Sequence, residues 1–115
     1  MGRRVNTSEF RIYKTVGEIT KAGKYPVEVV DIIQERNSYE IFYAPHDPKN
    51  PEITYAIIRG WIPMEDTGDN VTSRFMKAFN NPTSFKEIIG KTVMAKVGFN
   101  TDSEGRQHAN VVDFV

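Results

Sequence analysis

The sequence predicts an all-β fold with one or two short helices, built as a five-stranded barrel with a helix between strands three and four. Three observations predict it. Five segments alternate apolar and polar residues with the period of a β-strand. One segment, residues 69–80, switches to helical spacing. Clusters rich in Gly, Pro, Asn and Ser separate these segments and mark turns. The chain has 115 residues, the size of one domain whose core needs no covalent staple.

The first clear strand runs from Lys24 to Gln34. Gly23 opens it, and Tyr25, Val27, Val29 and Ile33 fall on one face by alternation. Pro26 near its start marks an edge or entry position. Arg36-Asn37-Ser38 is a turn, and Tyr39–Tyr43 returns as the second strand of a hairpin. Residues 44–52 hold three prolines and form a loop. The third strand is read as Ile53–Ile62. One of its faces carries Thr54, Ala56, Ile58, Gly60 and Ile62; the other carries Ile53, Tyr55, Ile57, Arg59 and Trp61. In residues 69–80, Val71, Phe75, Ala78 and Phe79 recur at helical spacing, with Asp69 or Asn70 as the cap. Ser84 and Glu87 have capping-box spacing for a second short turn that Gly90 stops. Strand four, Lys91–Phe99, points Val93, Ala95, Val97 and Phe99 one way. In strand five, Arg106–Val115, Ala109, Val111 and Asp113 oppose His108, Asn110, Val112 and Phe114.

Three strands, a helix, then two strands is the order of the OB barrel, whose helix plugs one end. Val71, Phe75 and Phe79 are the expected plug, and Gly23, Gly60 and Gly98 suit the bends of a small barrel. A β-sandwich usually needs seven strands, and a ferredoxin-like fold needs a helix after its first strand. Residues 1–22 show no clear periodicity and are read as an arm ahead of a domain spanning 23–115.

Charge divides along the same line. Lys+Arg and Asp+Glu both number 15, so the net charge is zero, which excludes a strongly basic binder of the histone type. Residues 1–24 carry six basic and two acidic residues, a balance of +4, and the remainder carries −4. The arm is thus a solubilising leader or a contact for phosphates or an acidic neighbour. There is no cysteine, which removes disulfides, thiolate metal sites and a cysteine nucleophile. No apolar run is long enough to span a membrane, and residues 1–22 lack the core of a secretory signal. The expected location is the cytoplasm.

Catalytic patterns are weak. His46 and His108 lie on distant segments, a poor start for a metal site. His108 has Asp102 or Asp113 nearby in sequence but no nucleophile at a recognisable spacing. Glu65, Asp66 and Asp69 surround a helix start, where carboxylates stabilise the helix. The glycines are scattered and form no phosphate loop. The sequence reads as a non-enzyme without cofactor or metal.

Binding of single strands needs flat faces for bases and cations for the backbone. Tyr55, Arg59 and Trp61 alternate on one strand face, which puts a guanidinium beside the only tryptophan. Tyr39 and Tyr43 on the neighbouring strand extend this platform, since strands two and three form the usual OB binding face. Lys91, Lys96 and Arg106 are the phosphate candidates. Each has a plainer reading too: aromatics on strands pack cores, and lysines solvate faces.

Gly23-Lys24-Tyr25 leads into Val29-Val30-Asp31, Gly60-Trp61-Ile62 stands before the helix, and Phe85 with Ile88-Ile89-Gly90-Lys91 heads strand four. Asp102 and Glu104-Gly105-Arg106 follow in the last hairpin. In these features residues 23–115 resemble phage-encoded OB-fold single-stranded DNA-binding proteins of replication and recombination modules. The resemblance implies sequence-tolerant binding of single-stranded DNA without chemistry, in the host cytoplasm, with other replication or recombination proteins as further partners. The chain departs from many such proteins in lacking an acidic tail after strand five, so recruitment through one is not expected. A homodimer is expected, because linked sites gain avidity. The alternative is a phage structural or protein-interaction module using the same aromatic face as a subunit interface, where Trp, Tyr and Arg are also enriched.

Overall fold

Alternating apolar side chains need one buried face, and a five-stranded sheet can bury it by closing on itself. The computed structural model, which describes residues 16–115, shows that closure. Its strands are β1 (Val16–Gly17), β2 (Gly23–Gln34), β3 (Ser38–Pro45), β4 (Thr54–Tyr55), β5 (Ile58–Pro63), β6 (Thr92–Thr101) and β7 (Gln107–Phe114). Helix α1 covers Val71–Ala78, and a single 3-10 turn covers Phe85–Glu87. The barrel order is β2-β3-β5-β7-β6, with β6 pairing back onto β2. Every barrel pair is antiparallel except β5–β7, which is parallel and has one register pair, Arg59 with Asn110. This is an OB-fold-like all-β barrel.

The interior is lined from every strand of the barrel. Val27, Val29, Ile41, Tyr43, Ile58, Ile62, Ala95, Val97, Val111 and Phe114 are buried, and Phe75, Phe79 and Ile88 join them from the segment between β5 and β6. Burial of each large aliphatic or aromatic side chain contributes about 1.5–3 kcal/mol. Phe75 packs edge-on to Phe114, with ring centres 5.3 Å apart. Val71 is only half-buried. Thr72 donates to the Pro63 carbonyl at 2.5 Å and ties α1 to the end of β5. Asn70 is the helix cap, accepting from the Ser73 N–H at 3.0 Å. Glu87 accepts from the Ser84 N–H at 3.0 Å, as the capping-box spacing predicts.

Gly60 is required by a close approach. A Cβ there would lie 2.8 Å from the Val111 carbonyl oxygen and 3.1 Å from the Tyr43 ring. Backbone on one side and a packed ring on the other leave no room to yield.

Three expectations change. First, β2 is bulged between Val29 and Asp31. The extra residue turns Ile32 inward and leaves Ile33 43% exposed, so Ile33 does not share a face with Val27 and Val29. Second, the β6–β7 register shifts by one between Lys96 and Val97, which leaves Val112 as the extra residue. Val112 is exposed, as alternation with His108 expects, but Phe114 is buried and so does not share its face. Third, the third strand is not continuous: Ala56 and Ile57 separate β4 from β5. β4 pairs instead with β1, in parallel. The first 15 residues of the basic arm lie outside the described residues. Residues 16–22, read as the end of that arm, carry β1 and the buried Ile19.

Candidate nucleic-acid interface

Because β5 alternates cleanly, its residues sort into two sets. Ile58, Gly60 and Ile62 face the core; Arg59 and Trp61 face out. Trp61 is 45% exposed. The register of β3 with β5 places Glu40 opposite Trp61 and Phe42 opposite Arg59. The register of β2 with β3 then adds Ile33 beside Glu40 and Asp31 beside Phe42. The outer wall of β2, β3 and β5 therefore holds two rows, Ile33–Glu40–Trp61 and Asp31–Phe42–Arg59. The Arg59 guanidinium lies over the Phe42 ring, 5.2 Å from its centre, and 3.5 Å from the Glu40 carboxylate.

Beside this wall is an open groove of about 570 Å³, bordered by Ile57, Arg59, Trp61, Asn100, Asp102 and His108. Its far side comes from the β6–β7 hairpin. Asp102 organises the turn by accepting from the Glu104 and Arg106 N–H groups, both at 2.9 Å. Its other oxygen is 2.7 Å from His108 Nε2. The hydrogen bond from His108 and then that from the Arg106 backbone hold the Asp102 carboxyl below the usual carboxylate range. Asn110 is buried at the floor. Its Nδ2 donates to the Arg59 carbonyl at 3.3 Å, and its Oδ1 accepts from Asn100 Nδ2 at 2.9 Å.

Of the aromatic candidates, only Trp61 lies on this face. Tyr43 points into the barrel and is fully buried, because β3 turns Tyr39, Ile41 and Tyr43 to one side. Its hydroxyl has no hydrogen-bond partner among the described residues, and burial raises its pKa. Tyr43 is therefore a core residue and not part of a stacking platform. Tyr39, on the same inward set, packs edge-on against Phe85 with ring centres 4.7 Å apart. The break after β4 takes Tyr55 out of line with Arg59 and Trp61; its hydroxyl donates to Asp47 at 3.3 Å.

The cations divide as well. Arg106 lies in the turn that borders the groove, 3.2 Å from Glu104. Lys96 is a register partner of Lys24 on β2 and of Asp113 on β7, on the β2–β6 wall, two strands from β5. Lys91 precedes β6 and is held to the same wall by the Val29 N–H, 3.0 Å from its carbonyl oxygen. Neither lysine shares a face with Trp61.

Phe42, Asn100 and Asn110 were not among the residues that sequence reasoning singles out as a site. Phe42 follows from the hairpin register, and Asn110 from a burial no polar residue on an outer face predicts. His46 lies 3.6 Å from Glu28, away from His108. Among the described residues no group of three or more His, Asp or Glu side chains is placed to hold a metal ion, and no helix is long and apolar enough to cross a membrane. No family model matches the chain, and no curated protein matches it.

Proposed function

We propose that this chain binds single-stranded DNA by stacking bases on the outer wall of β3 and β5. One observation carries the reading: Trp61 and Arg59 project side by side from β5, exposed, at the mouth of a groove. With 45% of its surface exposed, the indole has area free for a ligand. It offers a π-face that any base can use, which is how sequence-tolerant binding works. Arg59, over the Phe42 ring, extends that surface with a positive charge. Arg106 on the bordering turn supports a contact to the strand's phosphates.

Trp61 is the only tryptophan, so its fluorescence reports on the site directly. A dT oligonucleotide of about 30 bases should quench it at low salt, and duplex DNA should not. Trp61→Ala, which removes that reporter and is followed with an end-labelled oligonucleotide, should weaken binding by about 5–150-fold, the worth of one stacked base. Quenching that follows protein concentration and ignores the oligonucleotide would identify the face as a subunit interface and overturn the proposal.

A further inference from the structure

Lys24 on β2 and Lys96 on β6 are register partners. Ala95 and Val97, on either side of Lys96, are buried, so both lysines point out of the barrel, and both are exposed. Like charges directly opposite one another destabilise a sheet. Asp113 is the register partner of Lys96 on its other side, but Arg74 Nε already donates to that carboxylate at 2.5 Å. Lys24, Lys96 and Arg74 against Asp113 leave a local balance of +2. The adjoining outward positions, Pro26 with Met94 on one side and Gly98 on the other, carry no charge. Among the described residues neither lysine is in an ion pair. The free protein therefore holds a repulsion that an anion would relieve.

The outer side of β6 connects this pair to the groove. Asn100 borders the groove, and Gly98 and Lys96 follow it at every second residue on the same side of the strand. The span from Asn100 to Lys96 is about 14 Å. Gly98 puts no side chain in that path, and it is partly exposed. The path is low at its middle and positive at its end, which suits an extended anionic chain.

We infer that the bound strand leaves the groove over Gly98 and sets its phosphates between Lys24 and Lys96. The phosphate removes the repulsion between the two ammonium groups, so both contribute to affinity. The binding site then turns from the wall of β3 and β5 onto β6. Its length stays within the roughly 4–16 nucleotides that one OB barrel covers. This inference rests on the single-strand reading.

The test measures the salt dependence of binding to a dT oligonucleotide of about 30 bases by Trp61 quenching. It compares the parent with Lys24→Gln, Lys96→Gln and Lys49→Gln, the last a control for net charge on the exposed loop after β3. The plot of log affinity against log salt should flatten by about 0.7 in each of the first two and keep the parent slope in the third. Both should fold as well as the parent, because each removes a repulsion. Gly98→Glu puts a carboxylate on the path. The backbone there is outside the left-handed region, and a Cβ would come no closer than 3.4 Å, to Val112. That variant should bind at least about fivefold more weakly, with the quenching at saturation unchanged. An unchanged slope in either Lys24→Gln or Lys96→Gln, or an equal flattening in Lys49→Gln, overturns the inference and leaves single-strand binding intact. So does Gly98→Glu binding as tightly as the parent. No binding by the parent at low salt overturns the single-strand reading and this inference with it.

Discussion

The Arg59 guanidinium and the Glu40 carboxylate lie 3.5 Å apart, yet Arg59 is 57% exposed and Glu40 only 14%. The acid is the anchored partner, enclosed between the register positions of Ile33 and Trp61. The guanidinium is the solvent-facing partner. On the single-strand reading, Glu40 competes with a phosphate for that positive charge.

Removing that competitor should strengthen phosphate contact. Glu40→Gln is expected to bind single strands several-fold more tightly at low salt. Its plot of log affinity against log salt should steepen by about 0.7, the increment for one added phosphate contact on a single strand. Stability should change by no more than about 1 kcal/mol, because the contact is long at 3.5 Å and its guanidinium is solvent-exposed. Weaker binding with an unchanged slope would show that Glu40 only shapes the wall.

Tyr43 makes the opposite point. Its hydroxyl is buried without a partner among the described residues. Leaving such a group unsatisfied costs about 1–3 kcal/mol. Tyr43→Phe should raise the denaturation midpoint in urea and leave oligonucleotide binding untouched. A loss of affinity would return Tyr43 to the site; a loss of stability would reveal a partner for the hydroxyl.

Acid should loosen the contact between α1 and β7. Arg74 Nε donates to Asp113 Oδ1 at 2.5 Å, and this bond, before any other cause, lowers the pKa of Asp113. A carboxyl whose folded pKa lies below its unfolded value favours folding above the unfolded pKa, near 4, and loses that contribution as pH falls through the folded value. Asp66, held down by the Ser73 hydroxyl, and Glu87, held down by the Thr83 backbone, act in the same direction. Thermal stability should be flat from about pH 5 to 7 with respect to these groups and fall below about pH 4. Asp113→Asn should show a lower melting temperature at pH 7 and a shallower fall in acid. Parallel curves for variant and parent would dissociate Asp113 from the acid transition.

Much of the barrel was legible because alternation survives wherever the ladder is regular. Ile58, Gly60 and Ile62 against Arg59 and Trp61 follow from period two, as do Ala95 and Val97. Most of the failures sit at irregularities. A bulge adds one residue and inverts every side chain after it, which moved Ile33 outward and Phe114 inward. The break at Ala56–Ile57 likewise detached Tyr55 from the strand it was read into. Tyr43 was misplaced for another reason: its strand alternates, but aromatic and aliphatic residues occupy both faces, so composition does not say which side is inside. The polar edge at Asn100 and Asn110 depends on contacts between residues far apart in sequence, and no local pattern encodes them.

The parallel seam between β5 and β7 has a kinetic meaning. The hydrogen bond from Asn110 to the Arg59 carbonyl joins residues 51 positions apart, and the seam has only one register pair. Closing a contact of such separation costs more chain entropy than closing a local hairpin, so the seam is expected to form after the hairpins. The β2–β3 and β6–β7 hairpins are local; the seam is not. The groove is lined from both sides of that seam, by Arg59 and Trp61 on β5 and by His108 and Asn110 on β7, so it is complete only where the seam is shut. Closure of the barrel and completion of the groove are then one event.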